Sequence, residues 1–443
     1  MSDVTAPRHG LGGRDILPSW ITRAGLRFLL ITDVMVIGVF AHSFLAPVGI
    51  AYSLGGALYA VAQGLLIGCL TLTAAEPHTS AVRNAKILRE GLIITLVFGC
   101  ALTLVCQGGT GFLRLLGQEG EIADIAGPFL MLLGLGLPLH YGFVTIGYML
   151  EAKGQRHIVA SWVGAAFLLN LCTGLGLALL LDGSAQGIAW SVAISTIAIR
   201  VLALFGLGAT FRARVSLVPW RALPSWTLST GREMRRIGLA AGAGLAIESA
   251  AFAMLSVFAG WLGAQALAAY TMLVSLVTVI FSLALAIAVL TATRIAAERS
   301  AARRRFVEGM GMALGLMAAL GVLAYACRET LVAQTLVDPT AAIALPLVGL
   351  VGFLMLGDGG QTIASNALRA VGDAWPATLI HLSGYLFVMV GGGWFLAIPL
   401  ARGVQGLIEA TALASFSVLF LLSWRFWRLT QSTSDISTRE IKT

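Results

Sequence analysis

Apolar residues along this chain come in long runs, each near the roughly 20 residues that a helix needs to cross a hydrocarbon core. On windows of about 19 residues the runs fall near 23–46, 49–73, 91–113, 124–148, 157–181 and 187–208, then near 237–260, 265–293, 306–328, 341–364, 376–398 and 403–426. The pattern predicts an all-α polytopic membrane protein with twelve transmembrane helices. The polar connections are short save one: residues 212–236, with Pro219 and Pro224, lie almost at the midpoint and read as a linker between two six-helix halves. The expected organisation is a cytoplasmic tail over 1–22, an N-lobe over 23–208, a cytoplasmic linker over 209–236, a C-lobe over 237–426 and a cytoplasmic tail over 427–443.

The halves resemble each other. YMLEAKG at 148–154 aligns with NALRAVG at 366–372 at an offset of 218, sharing Leu150/Leu368, Ala152/Ala370 and Gly154/Gly372. Gln186-Gly187 repeats as Gln405-Gly406, and LTLT at 70–73 as LTAT at 290–293. Because each half has an even number of spans, the duplicate keeps its orientation. The two lobes are therefore expected about a pseudo-twofold along the membrane normal, with the cleft between them as the default substrate site.

Composition agrees: 58% of the residues are hydrophobic and 11% charged, against about 25% charged in soluble proteins. The net charge of +8 would suggest a nucleic-acid partner in a soluble chain, but here the cations sort by side. Arg114, Arg328 and Arg402 fall on one side and Arg200 in mid-span, while the other 25 of the 29 fall on the side of both termini. By the positive-inside rule that side is cytoplasmic, so no nucleic acid is expected. The first 20 residues lack an apolar core and do not read as a signal peptide. Cys69, Cys100, Cys106, Cys172 and Cys327 lie in apolar runs without a CxxC pair and read as small buried hydrophobes rather than a disulfide framework or zinc site. With no Walker lysine loop, GxSxG or HExxH, neither ATP hydrolysis nor hydrolase chemistry has a foothold, and no enzyme is expected.

A carboxylate near the bilayer centre costs at least about 2.5–3.5 kcal/mol on insertion scales, so it pairs, protonates, faces water or binds a cation. Three acids qualify: Asp33 in span 1, Glu248 in span 7 and Asp358 in span 10. Asp33 and Glu248 are 215 residues apart, near the repeat offset, and the position equivalent to Asp358 is His140 in span 4. The plainer alternative makes each acid a hydrogen-bonded core residue between helices. Arg200 is the sole mid-span cation available for a structural ion pair. Gln63, Asn170 and Gln361 either glue helices together or line a cavity, and Gln361 shares a helix face with Asp358 three residues before it. The candidate coupling residues are Asp33, Glu248 and Asp358; the candidate cavity residues are Gln361, Asn170, His140 and Gln63.

The segments GDGGQTIASNALRAVGD at 357–373, RRIGLAAGAGLAIESAAF at 235–252, ITDVMVIG at 31–38, YMLEAKGQ at 148–155 and LLNLCTG at 168–174 resemble the MATE family, multidrug and toxic compound extrusion transporters of the MOP superfamily. The likeness is to the NorM/DinF-type bacterial branch and runs over roughly 20–425. It implies a monomeric exporter of organic, amphipathic, cationic small molecules in the bacterial cytoplasmic membrane, with lipid around it. The coupling ion would be H⁺ or Na⁺, exchanged at Asp33, Glu248 and Asp358, with no other cofactor. A Na⁺ ion would lie at Glu248 and Asp358. Two departures stand out: Leu354 replaces a tyrosine one turn before the span 10 aspartate, which favours H⁺, and Gly174 replaces a second polar residue four positions after Asn170. The alternative within transport is a lipid-linked oligosaccharide flippase or other exporter of the same superfamily.

Overall fold

A computed structural model describes residues 13–75, 80–180, 184–219, 228–334, 336 and 339–440. Regular structure among them is entirely helical. The first half runs α1 (Gly13–Phe40), α2 (Leu45–Leu65) continued by α3 (Ile67–Ala75), α4 (Ala81–Gln107) continued by α5 (Gly109–Leu115), α6 (Gly120–Leu135) continued by α7 (Leu137–Ala152), α8 (Arg156–Leu180) and α9 (Ala185–Arg214). The second half runs α10 (Leu228–Trp261), α11 (Ala264–Ala297), α12 (Ala302–Ala326), the short α13 (Arg328–Ala333) and α14 (Thr340–Ala344), then α15 (Val348–Ala370). It ends with α16 (Ala374–Ser383), a π-helical stretch Gly384–Gly391, α17 (Gly392–Ala397) and α18 (Gly403–Glu440).

Local chemistry sets several boundaries. Ser80 and Ser184 cap α4 and α9, their hydroxyls accepting the backbone N–H of Arg83 at 3.3 Å and Gly187 at 3.2 Å. The repeated sequence at 148–154 and 366–372 makes the same turn twice. Gly154 and Gly372 have φ of +76° and +96°, a conformation glycine adopts without a Cβ penalty. The residues after them, Gln155 and Asp373, donate backward to Leu150 O and Leu368 O, both at 2.9 Å, so the helix-terminating motif is duplicated along with the sequence.

Several predicted limits shift. Span 1 was expected over 23–46, but α1 stops at Phe40 and a short 3-10 turn, His42–Phe44, leads into α2. Among the described residues eleven helical segments are long and apolar enough to cross a membrane, and a shorter apolar stretch, Leu29–Phe40, is described in α1. The predicted spans 49–73, 91–113 and 124–148 are each broken, at Leu66, Gly108 and Gly136. Helix enters both predicted tails, from Gly13 and as far as Glu440, and the linker shrinks to the stretch between Arg214 and Leu228. Arg8, Arg221 and Lys442, counted with the cation-rich side, and Pro224 lie outside the described residues.

Many large apolar side chains face outward, Leu104 at 73% and Phe205 at 71% exposure among them. That exposure is costly in water and costless in lipid. Cys100, Cys172 and Cys327 also face outward, so the expectation of burial holds only for Cys69 and Cys106. Inside, helices approach at small residues: a Cβ on Gly321 of α12 would come within 3.1 Å of the Gly352 Cα on the same segment as α15. The halves meet chiefly where α10 runs along α2 and α3, and where α11 packs on α1 and α2.

Candidate functional site

In the second half, the polar cluster depends on glycine. Asp358 sits in the run Gly357-Asp358-Gly359-Gly360 of α15. A Cβ on Gly357 would crowd Phe416 at 3.0 Å, one on Gly359 would press on Met317 at 2.8 Å, and one on Gly360 on Leu419 at 2.8 Å. Helix packing thus closes around the one side chain that the run carries. Asp358 is 4% exposed, and its Oδ1 accepts from Gln361 Nε2 at 2.6 Å and Ser415 Oγ at 3.4 Å. The same Gln361 nitrogen lies 3.0 Å from the Tyr385 hydroxyl and 3.4 Å from Ser415 Oγ. Gln361 Oε1 is buried with no hydrogen-bond partner among the described residues.

The first half holds a separate cluster. Asp33 of α1 is 1% exposed and accepts three hydrogen bonds, from Thr196 Oγ1 at 2.6 Å, Asn170 Nδ2 at 2.8 Å and the Tyr52 hydroxyl at 3.0 Å. Hydrogen bonds to an ionised acceptor are the strong kind. Asn170 also reaches Leu29 O at 3.2 Å and Thr32 Oγ1 at 3.0 Å. The polar partner missing at Gly174 is thus replaced from another helix, by Thr196 on α9, which stands 2.9 Å from Asn170 Oδ1. His140 of α7 places Nδ1 3.3 Å from Arg200 Nη1. A guanidinium has no acceptor, so that nitrogen accepts and the imidazole proton sits on Nε2. The Arg200 guanidinium in turn lies 4.4 Å from the centre of the Tyr59 ring.

Between the halves lies a cavity of about 190 Å³. Its first wall comes from α1, α2 and α7 and includes Tyr52, Tyr59, Gln63 and His140; its second comes from α10, α11 and α15 and includes Glu248 and Asp358. Of the predicted residues, then, Glu248, Asp358, His140 and Gln63 face one space. Asp33, Asn170 and Gln361 stand behind its walls. Asp33 reaches the cavity through Tyr52, and Gln361 through Asp358. No Lys or Arg is among the lining residues. Among the described residues no three His, Cys, Asp or Glu side chains converge on a point, so a Na⁺ ion at Glu248 and Asp358 would need neutral oxygens such as those of Gln361, Ser415 and Tyr385. Sequence reasoning missed Tyr52, Thr196, Tyr385 and Ser415, single hydroxyls in apolar spans with no spacing signal.

Comparison with known proteins agrees with the geometry. The sequence profile of the MatE family matches residues 18–175 and 240–394, once in each half. A probable multidrug resistance protein NorM of Caulobacter vibrioides is 30% identical over 93% of this chain and 90% of its own length. The NorM relative of Aromatoleum aromaticum is 28% identical over 89% of each. Among solved structures, an inward-facing conformation of a multidrug resistance MATE family transporter of the MOP superfamily superposes with a TM-score of 0.81 at 13% identity, covering 93% of this chain and 96% of that one. The eukaryotic MATE transporter AtDTX14 gives 0.75 at 16% identity, with 94% and 96% covered. These are transporters rather than enzymes, and the eleven apolar spans make this chain an integral, multi-pass membrane protein. A chain of two matching halves enclosing a cavity between them, matched by the family profile over most of its length, belongs to the MatE family.

Proposed function

We propose that the protein is a secondary active multidrug exporter of organic, amphipathic cations, exchanging them for H⁺ or Na⁺ by alternating access of the cavity between the lobes. It acts as a monomer in the bacterial inner membrane, with both termini cytoplasmic. The observation that carries this reading is the cavity wall: two carboxylates, Glu248 and Asp358, face a space otherwise lined by apolar and hydroxyl groups, the Gln63 amide and the His140 imidazole, and by no Lys or Arg. A cation that enters finds negative charge in a medium of low dielectric, where the attraction is strong. Lipid-linked oligosaccharides carry a pyrophosphate that this wall would repel, which disfavours a flippase.

Exchange follows from competition for the same carboxylates. Gln361 Nε2 supports ionised Asp358, while its unpartnered Oε1 offers an acceptor for a carboxyl proton or a ligand for Na⁺. Drug and coupling ion then alternate at one site, and the lobes reorient with either bound. Asp33 serves the first lobe in the same way, reached through Tyr52. Everted membrane vesicles loaded by an imposed pH gradient, with and without Na⁺, test the reading on a fluorescent cation. Uptake that follows ΔpH identifies H⁺ exchange, uptake that follows Na⁺ identifies Na⁺ exchange, and uptake indifferent to both would sink antiport.

A further inference from the structure

We infer that the outer end of the cavity is held shut by a reciprocal latch between the lobes, formed by the turn at Leu116–Gln118 and the last turn of α10, which must break for the cavity to open outward. The inference rests on the alternating-access reading above. The end in question carries the turns after α5 and α10, opposite the long linker, and is the outer one on the cation count.

Burial shows that this end is closed. Leu45–Tyr52 at the start of α2 are buried without a break, as are residues 255–260 of α10, whereas residues 243–250 in the middle of α10 are half-buried or exposed. Across the seal Ser53 Oγ meets Ser256 Oγ at 2.7 Å. A Cβ on Gly49 would come within 2.2 Å of Thr271 Oγ1, so helices of opposite lobes touch there without room for a side chain.

At the rim each lobe supplies one donor and one carbonyl. Gln118 of the first lobe donates through Nε2 to Val257 O at 3.0 Å, and Trp261 of the second donates through Nε1 to Leu116 O at 2.6 Å. Two glycines allow the fit. Gly117 has φ of +74°, which aims the turn at the indole. Gly260 lies so close to Gln118 that a Cβ there would stand 1.9 Å from Gln118 Oε1. That oxygen is buried and has no hydrogen-bond partner among the described residues. A stranded acceptor weighs against the closed state, so the latch combines two bonds that hold with one group that favours release. Contacts of this kind, present in one arrangement of the lobes and absent in the other, are what set the balance between two conformations.

The test uses the full-length protein in intact cells, in a background whose native cysteines are replaced, with Ser275→Cys as reporter. Ser275 lines the cavity beneath the seal. A membrane-impermeant maleimide added outside reads how often that space opens outward. Gly260→Ala, a good helix residue that wedges the latch, and Trp261→Phe, which keeps an aromatic side chain, smaller than the indole, and drops the donor, should each raise the labelling rate about tenfold, the scale of losing one hydrogen bond. Gln405→Ala, at another outer turn, should leave it unchanged. Labelling that stays at the parental rate in both latch variants, with normal amounts of protein in the membrane, overturns the latch. Labelling needs neither drug nor ion gradient, so a wrong coupling ion or substrate class would leave this result intact.

Discussion

Replacing Asp358 by asparagine separates coupling from shape. The amide has nearly the carboxylate's size, and its carbonyl can still accept from Gln361 Nε2, now 2.6 Å away. A charge-assisted bond of about 1.5–3 kcal/mol becomes a neutral one of about 0.5–1.5 kcal/mol, so the fold loses on the order of 1 kcal/mol and persists. What disappears is exchangeable charge. One proton traded for one monovalent cation is electroneutral, so a two-unit pH gradient supplies about 2.7 kcal/mol and sustains about a hundredfold drug gradient. Asp358→Asn should let this ratio collapse to about one. In proteoliposomes, wild type should concentrate a fluorescent cation against its gradient under imposed ΔpH, while the variant should only equilibrate it. Binding, followed by fluorescence anisotropy on purified protein, should survive with altered affinity, and drug-triggered proton release into a weakly buffered pH dye should be reduced. If Asp358→Asn builds the full gradient, the cluster of Asp358, Gln361 and Ser415 is structural and the coupling assignment fails.

Thr196→Val keeps the side-chain shape but removes the 2.6 Å bond to Asp33; a loss of about 1–3 kcal/mol should lower the thermal midpoint in detergent, and an unchanged midpoint would show that Thr196 does not support that carboxylate. Glu248→Gln should impair uphill export as Asp358→Asn does, and the double variant should be little worse than either alone, because residues in one network do not add; strictly multiplicative loss would place the two acids in independent roles. Gly372→Ala forces a side chain into the +96° conformation and should cost about 1–2 kcal/mol, read as a lower midpoint with coupling ratio unaltered. Gly321→Leu wedges α12 off α15 and should destabilise by about 1–3 kcal/mol or more; a variant as stable as wild type would mean that the Gly321–Gly352 approach is not a packing constraint.

Much of the fold was legible because lipid imposes a coarse code: length and apolarity decide a span, and the duplicated 148–154 and 366–372 segments announced two halves before any contact was known. The acids were legible for the same reason, since Asp33, Glu248 and Asp358 interrupt apolar runs. The breaks were harder. Leu66 carries no turn chemistry, and Gly108 and Gly136 are two among 52 glycines, most of which sit inside helices or at their crossings. Helix limits beyond the bilayer were also missed, because hydropathy ends at the membrane surface while the backbone hydrogen bonds of α18 do not. At the site, the sequence indicated which side chains need a reason but not which share a space. The face of α15 that carries Gln361 marks it as a candidate cavity residue, whereas in the structure it hydrogen-bonds Asp358 from behind the wall. Thr196 carried no signal, because a threonine is tolerated almost anywhere in a span and its role arises only when α9 meets α1.

Tyr52 joins the carboxylate of the first lobe to the cavity. Its ring is part of the cavity wall while its hydroxyl holds Asp33 at 3.0 Å, so a proton travelling between that acid and the cavity along this route waits on the turning of one O–H rotor. Exposed side-chain rotors move in picoseconds to nanoseconds and domains in microseconds to milliseconds, and a hydroxyl turns without displacing its ring. If Asp33 exchanges protons as proposed, this route would bring it to equilibrium with whichever compartment the cavity faces many times over before the lobes reorient, and its occupancy would track the pH of that side rather than the direction of the previous stroke.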